Sequence, residues 1–114
     1  MIQNLVTKYP KIFSIVKYLE CGDGWYTLID ELCHCLQHNT DNNQNQPQVV
    51  ASCVKEKYGG LRFYTDGGTD YAEGMITFAE HMSYSICEMC GNPGKPEGGW
   101  ISTLCEPCRE KKNV

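Results

Sequence analysis

Two C-x-x-C pairs near the carboxyl end are the residues whose types and spacing point most directly to chemistry. Cys87 and Cys90 form the first pair, Cys105 and Cys108 form the second, and fourteen residues separate the pairs. A C-x-x-C turn lets two thiolates converge on one ion, and four thiolates make a closed tetrahedral shell for zinc. The spacing therefore predicts one structural Zn²⁺ held by these four cysteines.

The residues around the pairs predict how the zinc element folds. Gly91 follows the second cysteine, where a knuckle turn needs backbone freedom. The segment KPEGGWIST between the pairs predicts a short hairpin, and REKKNV after Cys108 predicts a helix whose positive dipole end faces the metal centre. This order is typical of a zinc ribbon or treble-clef-like knuckle. Because four thiolates leave no open coordination position, the centre is predicted to be structural.

Eight cysteines also permit a disulfide framework, which is the alternative to metal binding. That framework needs an oxidising compartment. The first residues, MIQNLVTKYPKIFSIVK, lack the uninterrupted apolar core of a signal peptide, and no apolar run approaches the length of a bilayer span. We therefore expect a soluble protein of the cytoplasm of a bacterial host cell, in which metal ligation explains four of the eight cysteines.

The remaining cysteines and histidines leave a second metal site open. His34 and His38 are four residues apart, a spacing that can bind zinc on one helix face, and Cys35 lies beside them. The alternative is a solvated helix face, which we favour because no matching ligand pair lies nearby. As small apolar residues, Cys21, Cys33 and Cys53 need no further role.

No local pattern identifies a catalytic residue. A zinc deaminase requires H-x-E before P-C-x-x-C, but His81 is followed by MSYSICEMC and the glutamate is missing. A metal-dependent nuclease of the ββα type would place a histidine between the cysteine pairs, and that span has none. The sequence therefore predicts no catalytic residues and favours a protein that is not an enzyme.

The segment VKEKYGGLRFY combines basic and aromatic residues around a predicted turn. Such a hairpin can bind phosphates or single-stranded nucleic acid. The candidate binding residues are Lys55, Lys57, Arg62 and Tyr64. The alternative is an ordinary amphipathic hairpin with Leu61 and Phe63 inward and with Glu80 paired to Arg62. We favour this alternative because the formal charge is −4 and the pI is about 5.3.

Length and composition predict one globular α+β domain spanning 1–114. With 114 residues, 41% hydrophobic and 21% charged, the chain is large enough to fold alone, and a bound metal ion would increase its stability. Residues 1–86 are predicted to form a core of helices and a β-hairpin, and 87–114 the zinc-binding subdomain. The polar segment 38–48, HNTDNNQNQPQ, is predicted to be a flexible connector within the first part.

Hydrophobic spacing places the elements of the core. Helices are predicted over 10–19, with Pro10 in the first turn, and over 23–38, with Asp23 as N-cap. Strands are predicted over 49–57 and 61–65, joined at Gly59-Gly60. A third helix is predicted over 69–86, with Asp70 and Glu73 as a capping box, although a glycine within it, Gly74, costs about 1 kcal/mol relative to alanine.

Taken together, the motifs GDGWYTLIDELC, VKEKYGGLRFY, FAEHMS and CEMCGNPG…GGWISTLCEPC resemble those of a group of small proteins from bacteriophages, prophages and bacteria. The resemblance covers about two-thirds of the chain and implies a phage-related origin, without an activity. Small phage proteins often bind host machinery, so it favours a non-catalytic zinc protein that engages a host protein. A nucleic-acid-binding zinc protein is the alternative, to which Arg109, Lys111 and Lys112 would contribute, and an enzyme is the third hypothesis.

Overall fold

The computed structural model describes residues 1–112, and the part of the last predicted helix that falls on Asn113 and Val114 lies outside the described residues. The elements in chain order are α1 (Asn4–Lys8), a 3-10 turn (Asp23–Trp25), α2 (Tyr26–Asn42), β1 (Ala51–Lys57), β2 (Gly60–Thr65), α3 (Asp70–Ser83), β3 (Lys95–Glu97), β4 (Ser102–Leu104) and α4 (Glu106–Lys112). The predicted α+β order of helices, β-hairpin, third helix and four-cysteine end is confirmed. In residues 1–112, no helix is both long and apolar enough to cross a membrane.

The amino-terminal segment buries Ile12, Phe13, Val16 and Leu19 but is not the predicted helix. Helix occupies only α1, and Pro10 lies in the turns that follow it. The segment gives its backbone groups to β1 instead: the Ile12 carbonyl accepts from the Ala51 N–H at 2.8 Å, and the Glu20 N–H donates to the Val54 carbonyl at 2.9 Å. These long-range bonds take partners that an intrahelical ladder would need, so tertiary structure overrides the helical spacing.

Helix α2 is longer than predicted and starts differently. Trp25 precedes its first residue, and the Asp23 carboxylate accepts from the Ile2 N–H at 2.8 Å instead of capping the helix. At the other end the helix runs through Asn42, so the first half of the predicted connector is helical. Gln37 and Gln48 then join the helix to the chain before β1 through a reciprocal pair of amide hydrogen bonds of 3.0 and 2.8 Å.

The β-hairpin is present, with its turn one residue earlier than predicted. Lys57 pairs with Gly60, so the two turn residues are Tyr58 and Gly59, with φ of 53° and 85°. Positive φ at both positions is the geometry of a type I′ turn. Gly60 lies in β2 and is required for a different reason: a Cβ there would stand 2.3 Å from the phenol ring of Tyr84.

Helix α3 covers the free edge of β2 with side chains. The Ser83 hydroxyl accepts from the Leu61 N–H at 2.9 Å, and the Glu80 carboxylate accepts from the Phe63 N–H at 2.9 Å. Glu80 therefore serves the strand backbone and does not form the expected pair with Arg62. Thr69, not Asp70, caps the helix, because its side chain accepts from the Ala72 N–H at 3.2 Å.

Candidate metal centre

The first cysteine pair lies on a tight turn that directly follows the core. The Cys87 N–H donates to the Asn92 carbonyl at 2.7 Å, and the Gly91 N–H donates to the Cys87 carbonyl at 2.9 Å. Gly91 has φ of 85°, the left-handed conformation that glycine adopts readily and that the sequence predicted for this position. The Glu88 N–H donates to the Thr103 carbonyl at 3.0 Å and so joins this turn to β4.

The second pair lies where β4 passes into α4. Cys105 follows the last strand residue, and Cys108 lies on the helix, whose first residue is Glu106. The Arg109 N–H donates to the Cys105 carbonyl at 3.0 Å, which fixes the first helical turn. Strands β3 and β4 form the hairpin predicted between the pairs, so a knuckle, a hairpin and a helix follow in treble-clef order.

All four sulfur atoms converge. The Sγ atoms of Cys87, Cys90, Cys105 and Cys108 lie within 4.8 Å of one another, and those of Cys90 and Cys105 are 3.5 Å apart. In a tetrahedron with Zn–S bonds of about 2.3 Å, the sulfur atoms are about 3.8 Å apart. Cys87 and Cys108 are buried and Cys90 is exposed, so the cluster lies at the surface with two ligands anchored inside. This donor set can hold a metal ion.

The pKa values of the thiols favour binding of a cation. Burial opposes ionisation of Cys87, but hydrogen bonds from the backbone N–H groups of Cys105, Cys90 and Met89 lower its pKa to about 6. At Cys108 the hydrogen bond that its thiol donates to the Cys105 sulfur, together with burial and the neighbouring thiols, raises the pKa to about 12. One thiolate therefore forms readily and makes the next unfavourable, and a divalent cation removes this repulsion.

The guanidinium of Arg109 holds the zinc element together, a role that sequence analysis missed. Its Nη2 donates to the carbonyls of Lys95 and Ser102 at 2.7 and 3.1 Å, and its Nη1 donates to the carbonyl of Glu97 at 3.2 Å. The Glu97 carboxylate lies 3.5 Å from Nε. These contacts use the guanidinium to join α4 to both hairpin strands, so it is not free for the nucleic-acid contact proposed from the sequence.

The metal centre is packed backbone to backbone against the start of α2. The Gly24 N–H donates to the Glu88 carbonyl at 2.7 Å, and the Gly22 N–H donates to the Glu88 carboxylate at 2.9 Å. A Cβ on Gly24 would stand 2.1 Å from the Cys87 carbonyl oxygen. The buried Trp25 donates from its indole Nε1 to the Ile86 carbonyl at 2.9 Å. The turn of the first cysteine pair therefore packs against the GDGW motif.

The four candidate binding residues lie on the β1–β2 hairpin and not in the metal centre. Lys55 and Tyr64 are close neighbours across the strands, with the ammonium 6.0 Å from the ring centre, and Lys57 lies 5.6 Å from the ring centre of Tyr58. Arg62 donates to the Tyr84 hydroxyl at 3.2 Å and to the Leu61 carbonyl at 3.1 Å. As the amphipathic alternative predicted, Leu61 and Phe63 are buried.

The second metal site left open by the sequence is not assembled in the part of the chain that the structure describes. There, the C-terminal cysteine cluster is the one group of three or more potential ligands close enough to share an ion. The rings of His34 and His38 stack at 6.2 Å between centres on α2, but Cys35 does not complete a cluster with them.

The most exposed large apolar residue is Trp100, which the sequence analysis did not single out. It lies at the tip of the β3–β4 hairpin with 90% of its surface exposed. Its neighbour Ile101 is also exposed and contacts the β1–β2 turn, where a Cβ on Gly59 would stand 3.0 Å from its Cγ2. Tyr58 on that turn is 66% exposed. We call the residues Tyr58, Trp100 and Ile101 the tip surface.

A groove of about 530 Å³ lies beside the metal centre, between the β3–β4 hairpin and α4. The charged residues that line it are Lys95, Glu97, Glu106, Arg109 and Glu110. The residues lining the groove include no histidine, serine or threonine, and its one thiol, Cys105, belongs to the metal cluster.

Comparison of the chain with protein-family models, with curated proteins and with solved structures gave no match.

Proposed function

We propose that this chain is a non-catalytic zinc-binding interaction protein, encoded by a phage, that binds a host protein in the bacterial cytoplasm. One structural Zn²⁺ is held by Cys87, Cys90, Cys105 and Cys108. The observation that carries the proposal is the position of Trp100, an exposed indole on a hairpin whose base is the metal cluster. Aromatic residues on a rigid support are the usual centres of binding energy in protein interfaces.

The donor set supports a structural role for the ion. Four cysteine thiolates fill a tetrahedral shell and leave no position for water or substrate. The cluster joins the first cysteine pair to the hairpin and α4, and through Gly24 and Trp25 to the core. The ion then holds the tip surface in a fixed place instead of performing a reaction.

The tip surface is pre-organised for binding because two hairpins meet beneath it. The Thr103 hydroxyl donates to the Gly59 carbonyl at 2.6 Å, and this bond is buried. It ties β4 to the β1–β2 turn, so Tyr58 and Ile101 are held on adjoining elements. A surface that is ordered before binding loses less conformational entropy when a partner arrives.

A host protein as partner is supported by the resemblance of the sequence motifs to those of small phage and prophage proteins. The acidic net charge of −4 gives no general attraction to nucleic acid. A protein with an apolar pocket that receives an indole suits the exposed Trp100 better, because burial of an aromatic side chain provides a large part of interface energy.

The partner is tested by affinity capture from bacterial lysate with mass spectrometry. Wild type is compared with Trp100→Ala, and Tyr18→Ala is the matched control because Tyr18 is also exposed but lies outside the tip surface. We expect a protein that is retained by wild type and by the control and is lost with Trp100→Ala. Equal capture by all three variants, or no specific protein with any of them, contradicts the proposal.

The metal is tested by native mass spectrometry of the reduced protein. We expect one zinc per chain in wild type and none in a folded fraction of Cys90→Ser. Cys35→Ser is the matched control because Cys35 is a half-buried cysteine outside the cluster. One zinc in the control assigns the ion to the C-terminal cluster, whereas loss of zinc in the control would support the His34, His38 and Cys35 site instead.

Nucleic-acid binding is the second candidate function, and the pairing of Lys55 with Tyr64 favours it. An ammonium beside an exposed aromatic ring can contact a phosphate while a base stacks on the ring. The test is a salt titration of single-stranded DNA and RNA binding with wild type and with the double variant Lys55→Glu, Lys57→Glu. A steep salt dependence that the double variant abolishes would support this function, and equal binding by the two proteins would remove it.

A further inference from the structure

Helix α3 carries an apolar stripe beside its core face, and one residue of the stripe, Met75, also packs against the core. The stripe consists of Tyr71, Met75, Phe78 and Met82, spaced by four, three and four residues. Phe78 at its centre is 64% exposed, Tyr71 and Met82 are exposed, and Met75 is half-buried. The core side of the same helix is formed by different residues, namely Ala72, Ile76, Ala79 and Ser83. The stripe is therefore an additional face, with the alternating spacing that pairs helices in coiled coils.

Gly74 lies on the flank of this stripe and has no explanation within one chain. It lies inside the regular helix α3, where glycine is unfavourable. A Cβ at this position would meet nothing within 4 Å, so no contact in the folded chain excludes a larger residue. A glycine beside an exposed apolar stripe does, however, leave room for a side chain of a second helix to pack against the helix backbone.

We propose that the stripe binds a second copy of this chain, with the two α3 helices antiparallel about a two-fold axis. The spacing of four, three and four residues is the same in either direction, so the stripe is complementary to its own reverse. Antiparallel pairing places Tyr71 opposite Met82 of the other copy and Met75 opposite Phe78. This reciprocity is what an isologous two-fold interface requires.

The flank of the stripe is also self-complementary in size. In the antiparallel register, Gly74 of each copy faces His81 of the other, so the imidazole fills the space that the glycine leaves open. His81 then lies about one helical turn from the Asp70 carboxylate of the other copy. The stripe itself carries no charge, so no like charges meet at the centre of the interface.

The interface is expected to be modest in strength. A helix of 14 residues is about 21 Å long, and two such helices bury less than a standard interface of about 1,600 Å². We therefore expect a dissociation constant in the range of about 1 to 100 μM. The stripe shares no residue with the metal cluster or the tip surface, so the dimer is independent of the proposed host contact.

Sedimentation velocity of the zinc-loaded full chain, from about 1 μM to about 1 mM, tests the proposal across the expected range. Wild type should pass from monomer to dimer, and Phe78→Glu should weaken association at least tenfold. Tyr18→Glu is the matched control, because it places the same charge on an exposed aromatic residue outside α3, and it should dimerise like wild type. A wild-type chain that stays monomeric throughout leaves the stripe to another partner and overturns the proposal, as does a dimer that Phe78→Glu leaves intact.

Gly74→Gln gives a second test that does not depend on Phe78→Glu folding normally. Glutamine favours helix more than glycine does, so the melting temperature of the dilute monomer should rise. The same substitution places a side chain where His81 of the other copy enters, so dimer dissociation should increase at least tenfold. A higher melting temperature with unchanged dimerisation would show that the second helix does not lie against Gly74.

Discussion

The indole Nε1 of Trp25 donates a 2.9 Å hydrogen bond to the carbonyl of Ile86, the residue just before the first cysteine of the metal cluster. Trp25 is fully buried in the main core, so this bond joins the core to the metal centre. Gly24 adds a backbone bond to the next residue of the same turn, Glu88. The metal cluster and the core are therefore one mechanical unit, although they are far apart in sequence.

The first prediction is that removal of zinc changes the environment of the Trp25 indole. In a Trp100→Phe background, Trp25 is the only tryptophan, so its fluorescence reports the junction alone. Structural zinc sites contribute on the order of 10 kcal/mol of folding free energy, and their loss should loosen the turn that Trp25 contacts. We expect a red shift of the emission when a strong chelator is added to the reduced protein, with recovery on zinc addition. Unchanged emission after complete zinc removal would show that the junction is independent of the metal.

The second prediction concerns Gly24, where the two parts of the chain approach most closely. A Cβ would stand 2.1 Å from the Cys87 carbonyl oxygen, so Gly24→Ala must displace the knuckle or the start of α2. We expect a loss of about 3 kcal/mol in the free energy of unfolding, at the upper end for overpacked sites. Gly99→Ala is the matched control, because a Cβ there meets nothing within 4 Å. Chemical denaturation measures the free energy of unfolding of both variants. Equal stability of Gly24→Ala and Gly99→Ala would contradict the close approach at Gly24.

The third prediction concerns the buried hydroxyl that completes the edge of β2. Ser83 accepts from the Leu61 N–H at 2.9 Å and donates to the Glu80 carbonyl at 2.6 Å. Ser83→Ala leaves a buried N–H without a partner, which should cost about 1–3 kcal/mol in the free energy of unfolding. Ser85→Ala, at an exposed serine two residues further along the chain, should cost less than about 0.5 kcal/mol. The reverse order of the two costs would show that the strand edge is satisfied in another way.

The fourth prediction is a pH dependence at Asp30. The Tyr9 hydroxyl donates to its carboxylate at 2.6 Å, and the Lys8 ammonium lies 2.9 Å away, so the pKa of Asp30 is lowered. A carboxyl group with a lower pKa in the folded state stabilises the fold above its unfolded pKa of about 3.9, and the gain is lost as the pH falls through the folded value. Asp30→Asn should therefore cost about 1 kcal/mol near neutral pH.

The measurement is the difference in free energy of unfolding between wild type and Asp30→Asn across pH. Zinc is released in acid from both proteins alike, so the difference isolates Asp30. We expect a constant difference above about pH 5 that shrinks below about pH 4. Glu31→Gln, at an exposed carboxylate on the same helix, should show no such change. A difference at Asp30 that persists in acid would assign the effect to packing instead of charge.

The amino-acid sequence by itself determined the metal cluster, the β-hairpin and the α+β order. Their signals are local: a C-x-x-C turn closes over four residues, and a hairpin forms between neighbouring segments. The spacing of apolar residues in the amino-terminal segment also indicated buried positions. Ile12, Phe13 and Leu19 are buried although the segment is not a helix, because their side chains are apolar in any backbone conformation.

Only the tertiary structure decided what holds these parts together. The segment 10–19 is not a helix because β1 takes its backbone partners, and Glu80 serves the β2 backbone instead of Arg62 because α3 lies along that edge. Arg109 also acquires its role from hydrogen bonds to the carbonyls of Glu97 and Lys95, which are 12 and 14 residues away, and the fold leaves Trp100 90% exposed. Hydrogen bonds over such separations depend on which elements pack together, and a pattern of neighbouring residue types does not contain that information.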